Sequence, residues 1–218
     1  MLGYVAGPAD SNNMNIQPTD KTIALAMTGA SGAPYGLRLL ECLIASGAKV
    51  YLMVSPPGQV VLSMETDLQV PGRTAEMQAF FAERYGAKEG QLDVFSKDQW
   101  MAPVASGSGA PDAMVVCPCT TGTLSAVACG ASNSLIERAA DVVIKEQRKL
   151  IMVVRETPLS AIHLENMLKL SRLGVVMLPA TPGFYQNPAS VEDIVDFIVA
   201  RILEQLDIKH DLLPGWGA

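Results

Sequence analysis

Two short segments rich in glycine and hydroxyl groups follow apolar runs of the chain. The segment TGASG at 28–32 ends the apolar run that begins at 22, and TTGT at 120–123 follows the run at 113–117. Pro34 suits the first turn of a helix, and the free N–H groups at a helix N-terminus favour an anion such as a phosphate. Either segment alone could serve only to start a helix. Two of them after neighbouring strands indicate one extended anionic ligand.

Cationic side chains that could hold a second anionic group occur later in the chain. Arg138 and Lys145 are seven residues apart, so in a helix they would lie on one face about two turns apart. Arg155 and Glu156 directly follow the apolar run at 150–154. A solvated surface charge is the usual alternative for each of these side chains.

Two further residues could join such an anion site. Arg201 falls on the apolar side of the last predicted helix, seven residues after Ile194, where an arginine is unusual. Tyr185 lies in the loop 179–188 and could supply a hydroxyl group or simply pack.

A nicotinamide enzyme and a zinc site are both disfavoured by spacing. The first glycine turn lacks the G-x-G-x-x-G pattern, and the second predicted strand ends at Ser55 instead of an acidic residue that would bind a ribose. Cys117 and Cys119 are separated by a single proline and have no second pair, so we expect them to pack in the interior.

Strand and helix patterns alternate along the chain. Apolar runs predict strands at 22–28, 49–54, 113–117, 150–154 and 175–178. Helices are predicted at 34–46, 60–65, 75–85, 121–130, 135–147, 160–171 and 191–206, and no strand is predicted within 59–111. The alternation predicts an α/β fold, a three-layer, doubly wound parallel sheet of the Rossmann or flavodoxin-like kind. Ligands of such sheets bind at the carboxyl ends of the strands.

Composition narrows the class of partner and the compartment. The 218 residues carry a net charge of −6, which argues against nucleic acid. No apolar stretch has the roughly 18 residues of a membrane helix, and four cysteines are too few for a disulfide-stapled secreted domain. We expect a cytoplasmic protein with a disordered tail at 1–20 and a single domain at 21–218.

Several long segments, in order, resemble the UbiX-type flavin prenyltransferases. The resemblance covers about 22–216. It lies in TGASG at Thr28, Ser55 with METD at Met64, CPCTTGTLSAVA at Cys117, NSLIERAADVVIKE at Asn133, RETPLSAIHLENM at Arg155, and PGFYQNPASVEDIVDFIVARIL at Pro182.

This resemblance implies a flavoprotein that binds FMN and dimethylallyl phosphate and uses no metal. It implies that the prenyl group is joined to flavin N5 and then to C6, which closes a fourth ring. The product would serve a UbiD-type decarboxylase, with ubiquinone biosynthesis as the expected pathway. The resemblance also implies a homo-oligomer, a dodecamer, with sites between subunits.

The resemblance also assigns roles to matching positions. The implied FMN ligands are Gly29, Ala30, Ser31, Ser55, Thr120, Thr121, Gly122, Thr123 and Arg155. The implied ligands of the prenyl phosphate are Lys145, Tyr185, Arg201 and, from a neighbouring subunit, Arg138. Trp216 is expected to cover the prenyl group. The implied catalytic residues are Ser31, Glu65, Lys145 and Glu156, of which Ser31 and the two glutamates would handle protons.

Two alternatives stay open on the sequence. The chain could act like the flavin-dependent cysteine decarboxylases, although these use a catalytic histidine and the cation set would then have no purpose. It could also be a non-catalytic FMN carrier, in which Glu65 and Glu156 would be dispensable.

Overall fold

A computed structural model describes residues 15–213. In chain order the strands and helices are β1 Thr22–Met27, α1 Ala33–Ala45, β2 Lys49–Val54, α2 Pro56–Glu65, α3 Thr74–Tyr85, β3 Leu92–Phe95, β4 Ala113–Cys119, α4 Thr121–Ala128, α5 Leu135–Lys145, β5 Lys149–Val154, α6 Ala161–Arg172, β6 Val176–Met177 and α7 Val191–Gln205. Single turns of 3₁₀ helix lie at Pro103–Ala105, Gly107–Gly109 and Phe184–Gln186.

The six strands form one parallel sheet in the order β3-β2-β1-β4-β5-β6. The strand order reverses between β1 and β4, which lie side by side although the chain visits two other strands between them. In open parallel sheets the ligand crevice lies outside the carboxyl ends of the strands at such a reversal. The topology therefore points to the ends of β1 and β4.

Helices cover both faces of the sheet because alternate side chains of each buried strand point to opposite sides. In β1, Ile23 and Leu25 belong to the core beneath α1, α3 and α7, whereas Ala24 and Ala26 belong to the core beneath α4 and α5. The predicted three-layer α/β fold is confirmed.

Two predictions between residues 55 and 111 are wrong. β3 is a strand where none was expected. The apolar pattern missed it because its four residues bury only Leu92 and Val94 and it lies at the edge of the sheet. α2 begins at Pro56, four residues before the predicted start at Val60. Prolines are tolerated in the first helical turn because their missing N–H groups would have no helical partner there.

Part of the predicted tail packs against the domain. The Asn15 N–H donates to Asp211 Oδ1 (3.1 Å), the Gln17 N–H donates to the Lys209 carbonyl (2.9 Å), and Ile16 lies against the core. The rest of the tail, 1–14, lies outside the described residues. Among residues 15–213 no helix is both long and apolar enough to cross a membrane.

Candidate functional site at the carboxyl ends of the strands

The ends of β1 and β4 are joined through Thr28. The Thr28 N–H and hydroxyl both donate to the Pro118 carbonyl (3.1 and 2.8 Å), and the Thr120 N–H donates to the Thr28 hydroxyl oxygen (2.9 Å). The Cys117–Pro118 peptide bond is cis. The two predicted ligand loops are therefore held side by side at the reversal of strand order.

The end of β2 is tied closely to the end of β1. The Ser55 N–H donates to the Met27 carbonyl (3.0 Å), and the Ser55 hydroxyl caps α2 by accepting from the Gly58 N–H (3.1 Å). Two glycines allow the loops to approach this closely. A Cβ at Gly29 would lie 2.4 Å from Pro57 Cβ, and a Cβ at Gly58 would lie 2.7 Å from the Met27 carbonyl oxygen. This close approach places the start of α2 beside the first ligand loop.

A cavity of about 170 Å³ opens between these loops. Ser55, Thr120, Thr123 and Ser134 contribute hydroxyl-bearing side chains to its wall. Three of them are N-caps: Ser55 begins α2, Thr120 begins α4 and Ser134 begins α5. Three helix N-termini thus converge on one small cavity that hydroxyl groups line in part, a combination that suits a phosphate group.

Ser134 was not among the sequence-predicted ligands. Its hydroxyl accepts from the Glu137 N–H (3.4 Å), and the Glu137 carboxylate accepts from the Asn133 N–H (2.6 Å). A serine followed three residues later by glutamate is a recognisable helix start. That signal could have located the cap, but the convergence of α5 on α2 and α4 depends on the tertiary fold.

A carboxylate lies at the N-terminus of α1, where the sequence pattern predicted a phosphate. Glu65, the last residue of α2, accepts hydrogen bonds from the Gly32 and Ala33 N–H groups through Oε2 (2.8 and 2.9 Å). Because the Glu65 carboxylate binds these two N–H groups, they are not available to a phosphate at the N-terminus of α1, and that prediction is wrong. The convergent cavity is the better phosphate site.

Glu65 also affects a neighbouring phenol. Burial, the nearby Cys117 and then the Glu65 carboxylate raise the pKa of Tyr35 above its usual range. Tyr35 therefore stays neutral beside Glu65 at physiological pH.

Arg155 links the other side of this edge to the first loop. Its N–H donates to the Cys119 carbonyl (3.2 Å) and its guanidinium Nε donates to the Ser31 carbonyl (3.1 Å). The adjacent Glu156 accepts a bond from the Thr157 N–H (3.0 Å) and is exposed to solvent. One chain thus brings together the predicted flavin ligands at 29–31, Ser55, 120–123 and Arg155.

Arg138 and Lys145, two of the predicted ligands of the prenyl phosphate, lie on α5. The Arg138 guanidinium donates to the Ala105 carbonyl (3.0 Å) and pairs with Asp141 (2.7 Å), while Lys145 pairs with Glu146, whose pKa this contact lowers. Lys145 ends α5 only four residues before β5 begins, so it lies at the amino edge of the sheet. The six residues of β5 span about 20 Å, and they separate that edge from Arg155.

Tyr185 and Arg201 lie together beyond the edge strand β6. The Tyr185 ring packs edge-on against Phe197 with centroids 5.8 Å apart, and Phe197 and Arg201, one turn apart on α7, both line a cavity of about 330 Å³. Arg201 is exposed and pairs with Glu204, so the prediction of an arginine on the buried stripe is wrong. No contact within the described residues joins Lys145 to Tyr185 or Arg201. Trp216 lies outside the described residues.

The paired cysteines belong to the interior, as the spacing predicted. Cys117 and Cys119 are buried, and burial raises the pKa of both thiols, that of Cys119 to about 12. Within residues 15–213, no group of three or more histidine, cysteine, aspartate or glutamate residues is placed to hold a metal ion.

Comparison with known proteins agrees with this architecture. The Flavoprotein family model matches residues 11–203. The chain is 62% identical over 195 residues to the flavin prenyltransferase UbiX of Pseudomonas aeruginosa, a match that covers 89% of this chain and 93% of that protein.

Two solved structures resemble this chain in both fold and sequence. One is AnUbiX (PadA1) in complex with FMN and dimethylallyl pyrophosphate, with a TM-score of 0.81, 36% identity, and coverage of 92% of this chain and 99% of that one. The other is a dodecameric FMN-dependent UbiX-like decarboxylase from Escherichia coli O157:H7, with a TM-score of 0.80, 38% identity, and coverage of 90% and 100%. This chain belongs to the Flavoprotein family and, within it, to the UbiX-type flavin prenyltransferases.

Proposed function

We propose that this chain transfers the dimethylallyl group of dimethylallyl phosphate to N5 and then C6 of reduced FMN. The observation that carries the proposal is the hydroxyl-lined cavity at the N-termini of α2, α4 and α5, in a chain 62% identical to a flavin prenyltransferase. The cysteine-decarboxylase alternative is set aside with the family assignment.

The convergent cavity fits the phosphate of FMN. N-terminal N–H groups of three helices carry partial positive charge toward it, and the hydroxyls of Ser55, Thr123 and Ser134 can donate to phosphate oxygens. The carboxylate of Glu137 also borders the cavity, but it is held by the Asn133 N–H. Gly29, Ala30, Ser31 and Arg155 would border the rest of the flavin, with the Arg155 side chain fixed by Ser31.

The cations proposed for the prenyl phosphate lie on different elements, and no described contact joins them within one chain. Arg138 and Lys145 lie on α5, whereas Tyr185 and Arg201 lie beyond β6. We call the predicted flavin ligands at the carboxyl ends of the strands (29–31, Ser55, 120–123 and Arg155) the flavin edge. We infer that copies of this chain assemble so that Lys145 and Arg138 of one copy face the flavin edge of another. This extends the expectation for Arg138 to Lys145, and it fits a homo-oligomer such as the dodecamer of the structural relative.

The reaction breaks the carbon–oxygen bond of an allylic phosphate. Reduced FMN, when bound, supplies the nucleophilic N5 and C6 atoms. Lys145, Arg138, Arg201 and the Tyr185 hydroxyl would stabilise the negative charge that develops on the departing phosphate. Glu156 would donate a proton to that phosphate, and the Ser31 hydroxyl would relay to the Glu65 carboxylate the protons lost from the flavin as the new bonds form. Trp216 would shield the prenyl group from water.

The non-catalytic carrier is the second candidate to eliminate. Glu65 already has a structural task at the N-terminus of α1, so its presence alone does not argue for catalysis. Glu156 bonds only the neighbouring Thr157 N–H among the described contacts, and it adjoins the flavin edge. Substitution of Glu156 therefore distinguishes an enzyme from a carrier better than substitution of Glu65 does. Delivery of the product to a UbiD-type decarboxylase, a role in ubiquinone biosynthesis and a cytoplasmic location are further parts of this proposal.

The test is anaerobic incubation of the assembled protein with reduced FMN and dimethylallyl phosphate, followed by mass spectrometry of the released flavin. We expect wild type and Glu165→Gln, which changes an exposed glutamate of α6, to yield a flavin carrying one prenyl unit. Glu156→Gln should bind FMN but lose or stall the transfer. Unchanged FMN with the wild type would contradict the proposed function and favour a carrier.

A further inference from the structure

Thr28 connects the two loops of the flavin edge but was absent from the predicted ligands. It is 3% exposed, at the end of β1, directly beside β4 across the reversal of strand order. Its hydroxyl group donates to the Pro118 carbonyl and accepts from the Thr120 N–H. The hydroxyl proton and one lone pair are therefore engaged by the protein itself.

The bond from Thr120 matters because Thr120 starts α4. The Thr120 side-chain oxygen accepts from the Thr123 N–H (3.0 Å) and also contacts the Thr123 hydroxyl (2.9 Å). Both threonines line the convergent cavity. A shift of the Thr120 backbone would therefore move the cap, the hydroxyl pair and the first N–H groups of α4 together.

We propose that Thr28 is a positioning residue for the phosphate end of the flavin. Its hydroxyl fixes the Thr120 N–H and thereby aims the N-terminus of α4 into the cavity. This rests on the proposed function only in taking a flavin phosphate as the occupant of that cavity. Thr28 also lines the cavity, but its hydroxyl group is engaged by Pro118 and Thr120, so it acts on the phosphate through Thr120. Its effect is therefore confined to ligands that carry the phosphate.

The experiment measures the affinity of the assembled protein for FMN and for riboflavin, which lacks the phosphate, by flavin fluorescence and without prenyl donor. Thr28→Val keeps the size of the side chain but leaves the Thr120 N–H without its acceptor. We expect the FMN dissociation constant to rise about tenfold, equivalent to about 1.4 kcal/mol. The riboflavin constant should change less than twofold. Thr28→Ser, which keeps the hydroxyl group, should restore FMN affinity.

The matched control is Ser46→Ala. Ser46 is a buried residue whose hydroxyl also makes two bonds, to the Leu43 carbonyl and from the Ala48 N–H, but it lies just before β2 at the amino edge of the sheet. It should leave both flavin affinities unchanged. If Thr28→Val does not fold, Thr28→Ala removes the same hydroxyl with less bulk and is measured in its place.

Three outcomes would overturn the inference: an equal loss of FMN and riboflavin binding, no loss of FMN binding, or failure of Thr28→Ser to restore it. Wild type that binds riboflavin as tightly as FMN would overturn it as well, since no phosphate subsite would then exist. Because no prenyl donor is present, a failure of transfer in the earlier assay leaves this result standing.

Discussion

The flavin edge and the prenyl-phosphate cations differ in how one chain holds them. At the flavin edge, Thr28, Ser55, Glu65 and Arg155 each bond to backbone groups of another loop. Lys145 and Arg201 instead are exposed and pair with sequence neighbours, Glu146 and Glu204. Such exposed pairs contribute little stability and can exchange partners readily.

This difference indicates two stages of site construction. Folding of one chain completes the flavin edge, because its loops are fixed by the sheet beneath them. Under the proposed function, the second substrate site takes Lys145 from another copy, because β5 separates Lys145 from Arg155 within one chain. Cations that are locally paired and exposed are suited to such recruitment.

The largest expected effect comes from Lys145→Ala. Prenyl transfer should fall about 100-fold or more, as for loss of one group that stabilises transition-state charge. FMN affinity should change less than twofold, because Lys145 of the neighbouring copy would contact the prenyl phosphate and not the flavin. Rates and dissociation constants of the same preparation check this, with Lys169→Ala on the exposed side of α6 as the control. An equal loss of FMN binding would erase the distinction between the two regions.

Glu65 offers a test of the flavin edge alone. Glu65→Ala leaves the Gly32 and Ala33 N–H groups without their carboxylate, so the free energy of unfolding should fall by about 1–2 kcal/mol. Glu65→Gln keeps one acceptor oxygen and should lose less stability, yet still lose the proton acceptor. Denaturant unfolding of both variants without flavin measures this. Equal stability of Glu65→Ala and wild type would show that the link is not structural.

The sequence analysis correctly brought the glycine and hydroxyl loops to one edge of the sheet, but it did not place the cations relative to that edge. Apolar runs followed by glycine or hydroxyl turns identify strand ends, and a parallel sheet brings those ends to one edge. The helical spacing of Arg138 and Lys145 correctly placed both on α5. Spacing within one helix does not tell which edge of the sheet each residue lies near. Arg201 was misplaced because periodicity cannot resolve one position at the border of a buried stripe.

The caps provide a prediction of intermediate size. Ser134→Ala and Ser160→Ala each remove an N-cap hydroxyl, of α5 and α6, and each should cost about 1 kcal/mol of stability. Only Ser134→Ala should also weaken FMN binding, by a few-fold, since Ser134 lines the convergent cavity. Calorimetry and FMN titration of both variants make the comparison. Loss of FMN affinity in Ser160→Ala as well would attribute the effect to general destabilisation.

The smallest expected effect concerns thiol reactivity. Cys129 is exposed, whereas Cys42, Cys117 and Cys119 are buried, and burial raises the pKa of all three buried thiols. Since the thiolate is the reactive form, Cys129 should be labelled first in the native protein at pH 8. Peptide mass spectrometry after brief alkylation locates the label. Early labelling of Cys119 would mean that the flavin edge opens readily.

The most direct test of a site shared between copies is complementation in mixed oligomers. Lys145→Ala subunits keep an intact flavin edge, and Arg155→Ala subunits keep the α5 cations, so each pure variant should be impaired in transfer. Coexpressed subunits should recover prenyl transfer clearly above the sum of the two separate activities, because some sites then combine the intact Arg155 and the intact Lys145. Activity no greater than that sum, in oligomers verified to contain both variants, would contradict the account.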